Sequence, residues 1–586
     1  MMNYGKLTLG LCAIPLVQSC NKQPEPARPN IILIMSDDMG YSDIGCYGGE
    51  IKTPNLDSLS IKGLRFTQFY NTARSCPTRA SLLTGLHPHQ TGVGHMVENR
   101  GNTHYQGSLN KNCVTIAEVL KTAGYSTYMA GKWHVTSYIS GKKDNDQSNW
   151  PLQRGFDRYF GTIQGAGSYY DPYSLLSGNK LIPATENFYY TDAISDTVVK
   201  YIKERKEKNP YFIYVAYTAA HWPLHALKRD IDKYKGIYDK GWDEVRKERY
   251  KRMLSMGLID SSWLLSPANP DVPWENEKMK KWNSACMEVY AAIIDDMDQG
   301  IGRIVKSLKE KGEFDNTVIL FLQDNGACAE NYGLLRSGKD TIRVNPDTLK
   351  PMAQGQIQML GEPVQSRDGR PVRVGRGVFP GGPDTFISYD KSWANASNTP
   401  FRMFKHWINE GGISTPLIVS WPEGIASKGE YRHQPGQLVD IMATLADLAH
   451  ATYPKEFKGN QIIPLEGTSL VPSFKNDTVR ERTLYWEHEG NRAIRKGDWK
   501  LVSEAWPDPT TLDSFETLPM KLWELYNLKT DRSELKNLSD QYPDKVKELS
   551  DEWQEWAKRV GAVPKPPTKL KTNIKIKNEL LKEIAK

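Results

Sequence analysis

The sequence predicts an α/β sandwich: a large, mostly parallel central sheet with helices on both faces, followed by a smaller C-terminal antiparallel subdomain. Three observations carry this reading. Four short runs are apolar without alternation, as strands buried on both faces must be. Amphipathic helical patterns lie between them, the alternation expected of a parallel sheet with crossover helices. After about residue 475 the texture changes to short strands and turns.

Pro29-Asn30 leads into Ile31-Ile32-Leu33-Ile34-Met35, a β-branched run that stops at Ser36-Asp37-Asp38. Similar runs follow at Tyr211 to Tyr217, Val318 to Leu322 and Pro416 to Ser420. Helices are expected over Thr115 to Ala123, Asp192 to Lys206, Met287 to Glu310 and Val439 to Ala449. In such sheets ligands sit beyond the carboxyl ends of the strands, where Asp37-Asp38 and Asp324-Asn325 stand. The segment Gly326 to Pro400 is long, rich in Gly, Pro and Arg, and weakly periodic, the texture of a functional loop. Thr483 to Val502, with turns at Glu489-Gly490-Asn491 and Lys496-Gly497-Asp498, reads as a small antiparallel sheet, and Asp540 to Val560 as a closing amphipathic helix.

The chain has 586 residues and a formal net charge of +7, with 25% charged residues, which excludes collagen-like, disordered and coiled-coil classes. The charge is not spread over the body. The stretch Lys565 to Lys586 carries seven Lys and two Glu, and Lys6 lies in the leader, so the body is close to +1. No nucleic-acid partner is expected. Lys6 precedes an apolar run, Leu7 to Val17, too short to span a bilayer but suited to a signal peptide. Leu16-Val17-Gln18-Ser19-Cys20 resembles a bacterial lipobox, with Gln18 departing from its tightest form. The expected organisation is a signal peptide (1–19), a polar tether (20–28), a catalytic domain (29–475), a C-terminal subdomain (476–563) and a basic tail (564–586). The expected location is outside the cytoplasm, in the periplasm or as an outer-membrane lipoprotein of a Gram-negative bacterium. Membrane contact is then limited to a lipid on Cys20. The other body cysteines, Cys46, Cys76, Cys113, Cys286 and Cys328, show no C-x-x-C pair and read as buried thiols.

The most informative string is Ser75 to Gly85, S-C-P-T-R-A-S-L-L-T-G. It fits the pattern C/S-x-P-x-R-x-x-x-L-T-G, so the chain resembles the formylglycine-dependent sulfatases, most closely the arylsulfatase branch, from about Pro29 to Val502. The resemblance implies an alkaline-phosphatase-like fold and hydrolysis of sulfate monoesters. Ser75 would be oxidised by a maturation enzyme to formylglycine, whose hydrate attacks sulfur and then releases sulfate, covalent catalysis in two steps. Pro77 and the helix-favouring run after it place Ser75 at a helix N-terminus, where an anion is favoured. Arg79 would hold the diol. Ser75 stands where many relatives carry Cys. It is either a native serine of the kind matured by anaerobic radical enzymes or a substituted cysteine.

The same resemblance places one Ca²⁺ (Mg²⁺ as the alternative) on Asp37, Asp38, Asp324, Asn325 and residue 75. Hard oxygen donors suit such ions and not zinc. Lys132 and His134, in Gly131-Lys132-Trp133-His134, match a sulfate-binding Lys and a His that helps break down the intermediate. His221, in Ala219-Ala220-His221-Trp222-Pro223, matches the leaving-group His, and Lys405 the second sulfate-binding Lys. His488, Asn491 and Arg492 are expected to contact substrate. His225 lies four residues after His221, but Pro223 interrupts any helix, which argues against a metal role. The substrate class expected is sulfated carbohydrate or aryl sulfate. Two alternatives remain: a phospho- or phosphonate monoesterase of the same fold, and an unmatured glycan-binding lipoprotein.

Overall fold

A computed structural model describes residues 1, 28–139, 145–268, 272–333, 343–344, 349–505 and 522–563. The expected leader from residue 2, the candidate anchor Cys20, the tether as far as residue 27 and the basic tail lie outside the described residues. No described helix is long and apolar enough to cross a membrane.

The centre is an eleven-stranded sheet. Its strands are β1 (Asn30–Ser36), β2 (Leu64–Tyr70), β3 (Ser126–Gly131), β4 (Arg158–Thr162), β5 (Leu175–Ser177), β6 (Lys180–Leu181), β7 (Tyr211–Ala216) and β8 (Thr317–Gln323), then β11 (Ser414–Ser420), β12 (Glu430–Arg432) and β13 (Gly436–Gln437). Between these in sequence, β9 (Arg343–Val344) and β10 (Arg373–Val374) form a separate ribbon. The spatial order is β12-β2-β11-β8-β1-β7-β3-β4-β5-β6, with β13 also on β2. The middle is parallel: β1 pairs with β7 and β8, and β3 with β7 and β4. β11 is antiparallel to both β8 and β2.

β1 shows why the sequence reads as it does. Ile32 and Ile34 enter the apolar cluster on one face, while Ile31, Leu33 and Met35 enter the cluster on the other. Both faces are therefore covered and no polar alternation is tolerated. The first face is closed by the helix Lys280–Glu310, which contributes Ile293, Ile301 and Ile304, and by the helix Tyr190–Glu204 with Ile194 and Val198. The second face is closed by Ser75–Thr84, Ile116–Thr122 and Val439–Leu448. The helix expected from Met287 begins seven residues earlier, at Lys280. β2 escaped the sequence reading because Arg65 and Gln68 interrupt its apolar pattern. Arg65 lies over the Tyr431 ring, and Gln68 donates to His433 O at 3.1 Å.

After the small ribbon β14 (Glu456–Phe457) and β15 (Asn460–Gln461), the antiparallel C-terminal sheet is built from β16 (Thr483–His488), β17 (Asn491–Lys496), β18 (Trp499–Ser503) and β19 (Glu524–Asn527). One face takes the helix Pro543–Val560 through Leu549, Trp553 and Trp556. The other packs Leu484, Trp486 and Val502 on Tyr70, Ile408 and Ile413 of the main body. Buried charges cross the same junction. Lys500 Nζ meets Glu410 at 3.0 Å and Glu534 at 2.8 Å, and Arg532 meets Glu410 at 2.8 Å. Removing one partner of such a set leaves an uncompensated buried charge.

Candidate active site

β1 and β8 run parallel and in register, Ser36 opposite Gln323, so the residues that follow each strand emerge side by side. Asp37 and Asp38 leave β1, and Asp324 and Asn325 leave β8. The Asp38 amide donates to Asp324 Oδ1 at 3.2 Å, and Asn325 Nδ2 donates to Asp38 Oδ1 at 2.7 Å. All four side chains are buried.

Ser75 opens the helix Ser75–Thr84 after an extended Arg74, and its hydroxyl reaches Asp37 Oδ1 and Asn325 Oδ1, both at 3.3 Å. One turn on, Arg79 is fully buried and its guanidinium lies 3.2 Å from both Asp37 Oδ2 and Asp324 Oδ2. Lys132 directly follows β3, and its Nζ meets Asp37 Oδ2 at 2.5 Å. Gly131 makes this turn possible. Its φ is 115°, and a Cβ there would fall 1.9 Å from Ala216 O, the group that accepts the Lys132 amide at 2.8 Å.

Lys405 Nζ lies 3.0 Å from Asp38 Oδ2 and 3.4 Å from His221 Nε2. His221 Nδ1 pairs with Trp222 O at 2.7 Å, so that nitrogen carries the proton and Nε2 faces Asp38 Oδ2 at 3.3 Å. His134 Nε2 lies 3.3 Å from Cys76 Sγ, the neighbour of Ser75, and Nδ1 has no hydrogen-bond partner among the described residues. The expected catalytic and metal residues are thus gathered from the segments after four strands, from the first turns of the helix Ser75–Thr84, and, for Lys405, from the stretch before the helix Glu410–Ile413.

Electrostatics separates the carboxylates. Burial works against charge on Asp37, but Lys132, His221 and Arg79 overcome it and hold the group well below the ordinary range. Asp324 is pushed up to about 7 by burial and by Asp37 beside it. Crowded buried carboxylates facing a set of hard oxygen donors fit a divalent cation, which would relieve their repulsion. Ligand atoms of Asp37, Asp38 and His221 also lie within 4.8 Å of one another. Burial, with Lys132 and Arg79, holds His134 well below its usual value. Burial also lowers His221, against the pull of Asp38.

The sulfatase family profile matches residues 29–451. The chain belongs to the sulfatase family. It is a sulfuric ester hydrolase, and the family generally uses formylglycine and a divalent metal. A second profile, the C-terminal region of N-sulphoglucosamine sulphohydrolase, matches residues 401–559. An uncharacterised sulfatase of Schizosaccharomyces pombe is 30% identical over 94% of this chain and 98% of its own length. An arylsulfatase of Klebsiella aerogenes is 33% identical over 76% of this chain and 91% of its own. Among solved structures, Ps i-CgsB with k-i-k-neocarrahexaose superposes with a TM-score of 0.61 at 23% identity, covering 95% of this chain and 98% of that one. A protein in complex with its substrate D-glucosamine-2-N,6-O-disulfate superposes with a TM-score of 0.58 at 21% identity, covering 93% and 100%. These two likenesses concern the fold.

This sulfatase carries site groups that sequence reasoning did not find. Arg74 Nη1 pairs with Glu330 Oε1 at 2.7 Å, and Glu330 Oε2 accepts Trp222 Nε1 at 3.1 Å and lies 3.5 Å from Lys405. Tyr332 stacks on Trp222 with ring centroids 4.0 Å apart. Glu330 and Tyr332 lie in the segment that shows no period, so no sequence signal marked them. The three expected substrate residues contact protein. His488 is fully buried, Asn491 donates to His406 Nε2 at 3.2 Å, and the Arg492 guanidinium lies 4.1 Å over the Trp523 ring. His225 is a structural histidine: it accepts the Tyr169 amide at 3.3 Å through Nδ1 and pairs with Thr385 O at 2.7 Å through Nε2.

Proposed function

We propose that this chain removes sulfate from sulfated carbohydrates through formylglycine made from Ser75, with a Ca²⁺ held by Asp37, Asp38, Asp324, Asn325 and residue 75. The observation that carries it is the convergence of Ser75 Oγ, Asp37 and Asn325 at 3.3 Å beneath three buried cations, Arg79, Lys132 and Lys405. An oxidising maturation enzyme would take two hydrogens from the Ser75 side chain, leaving formylglycine. One hydroxyl of its hydrate would bond sulfur as the alcohol leaves, the second would expel sulfate as the aldehyde re-forms, and a cation held by Asp37, Asp38, Asp324 and Asn325 would polarise the ester.

The chain's own residues do the rest. Lys132 and Lys405, held on Asp37 and Asp38 respectively, would offer charge-assisted donors to sulfate oxygens. Arg79 offsets the negative charge of Asp37 and Asp324 and braces the helix N-terminus that presents residue 75. His221, with Nδ1 committed to Trp222 O, turns Nε2 to Asp38 and Lys405 in the pocket, where it would pass a proton to the leaving oxygen. His134 is held neutral by burial and nearby cations, the state a base needs when the sulfated intermediate breaks down.

The carbohydrate reading rests on the rim. Arg74 and Glu330 are partly exposed beside Lys405 and offer groups that hydrogen-bond to hydroxyls, while Trp222 and Tyr332 supply a flat apolar wall. Two Bacteroides thetaiotaomicron relatives, an N-acetylglucosamine-6-O-sulfatase and an N-acetylgalactosamine-6-O-sulfatase, are 24% and 25% identical to this chain. Export through the apolar leader, with Cys20 as the lipid anchor, belongs to the same proposal. Mass spectrometry of residue 75 in protein from its own host is expected to show formylglycine, and unmodified Ser would leave a binding protein instead. Matured enzyme is then assayed on a panel of sulfated monosaccharides, and on an aryl sulfate against the matching phosphate. A phosphate preference of about tenfold or more in kcat/KM would reject the assignment.

A further inference from the structure

Next to Lys405 in sequence, His406 turns away from the sulfate pocket. It holds a left-handed φ of 90°, and its Nδ1 meets Glu489 Oε2 at 2.5 Å. Glu489 comes from the C-terminal sheet. His488 and Asn491 are the last register pair of β16 and β17, so Glu489 and Gly490 form a two-residue turn with φ of 52° and 92°. That turn favours Asn or Gly at its first position, yet a Glu is kept there and its carboxylate points inward. His488 lies alongside, fully buried, and neither ring nitrogen has a hydrogen-bond partner among the described residues. Its Nε2 is 3.7 Å from Glu489 Oε2. A buried imidazole with both nitrogens idle is costly unless something occupies them.

We propose that His406, His488 and Glu489 form a second metal site, for a divalent transition ion, zinc by its donor chemistry. One ligand atom from each lies within 4.8 Å of the others. Ligand atoms on tetrahedral zinc are about 3.3 Å apart, so closure takes side-chain shifts of about an ångström. Two imidazoles and a carboxylate suit zinc, whereas the all-oxygen set around Ser75 suits calcium. The carboxylate is braced from outside, as metal sites require: His95 Nε2, itself 2.9 Å from Arg100, contacts the other oxygen of Glu489. The ion would tie the β16–β17 turn to the segment that carries Lys405.

The test uses full-length protein, stripped with a chelator, reloaded with excess Ca²⁺ and titrated with Co²⁺ and then Zn²⁺. One equivalent of Co²⁺ is expected, with the visible absorption of a four- or five-coordinate ion, displaced by Zn²⁺, and Zn²⁺ raises Tm. His406→Gln and His488→Gln each lose that equivalent and keep calcium. X-ray absorption at the zinc edge of wild type shows histidine scattering from two imidazoles, a readout that needs no folded variant. Failure of wild type to take up stoichiometric Co²⁺ or Zn²⁺ overturns the proposal, as does a zinc shell without histidine. Undiminished binding in both glutamine variants overturns it too.

Discussion

Two buried polar clusters flank the Lys405-His406 pair, and they are built on opposite terms. The Ser75 cluster is dominated by oxygen: four side chains from the ends of β1 and β8, opposed by the cations Arg79, Lys132 and Lys405. The cluster behind it is dominated by imidazole: His95, His406 and His488 gather around the carboxylate of Glu489. The first is assembled where parallel strands end together, within one sheet. The second forms only where the C-terminal hairpin meets the main body. Neighbouring residues on one chain thus enter two different clusters, with the backbone at His406 in a left-handed conformation.

The sharpest test of the contrast is Ser75→Ala. Losing the nucleophile is expected to cut kcat/KM on a sulfate ester by at least about 10⁴-fold while the chain stays folded and its transition-metal equivalent is retained. Residual turnover within tenfold of wild type would move the chemistry elsewhere in the pocket. Lys405→Ala comes next. Removing one charged donor aimed at the sulfate should cost about 10²–10³-fold in kcat/KM, and Co²⁺ uptake should be unchanged. If Lys405→Ala also abolished Co²⁺ uptake, the two clusters would be one unit.

A pH experiment separates imidazoles that are committed to backbone partners from those that face each other. Burial lowers His225 to about 4, and the folded protein therefore holds it neutral. The sign follows: its stabilising contribution is complete above the unfolded value near 6.5 and is lost as pH falls towards 4. The full loss is roughly 3 kcal/mol for a shift of this size. Unfolding free energy measured from pH 7 to 4 should fall less steeply in His225→Gln than in wild type. Equal slopes would mean that His225 titrates normally. The smallest effect is expected for Asn325→Ala, which removes a neutral oxygen ligand. Calcium affinity, read by calorimetry, should weaken by about tenfold, less than for loss of either Asp37 or Asp38. An unchanged affinity would take Asn325 out of the calcium shell.

The sequence by itself determined the central strands, since runs such as Ile31 to Met35 and Val318 to Leu322 can only sit between two covered faces. It also named the residues of the Ser75 cluster. Asp37, Asp38, Asp324 and Asn325 follow strands of a parallel sheet, whose ends converge by construction, and Ser75 and Arg79 sit in a fixed register around Pro77, whereas Lys132, His134, His221 and Lys405 were named through the resemblance to the sulfatases. Tertiary structure alone decided the rest. Glu330 and Tyr332 acquire partners only because a segment without periodicity folds back on Arg74 and Trp222. The string E-H-E-G-N-R looked like a turn reaching for substrate. Its direction depends on how the C-terminal sheet docks on Tyr70, Ile408 and Ile413, which buries His488 and brings Glu489 to His406. Local pattern sets which way a side chain alternates. Contacts between residues some 85 apart, such as Asn491 and His406, are set by packing, and no period in the sequence encodes them.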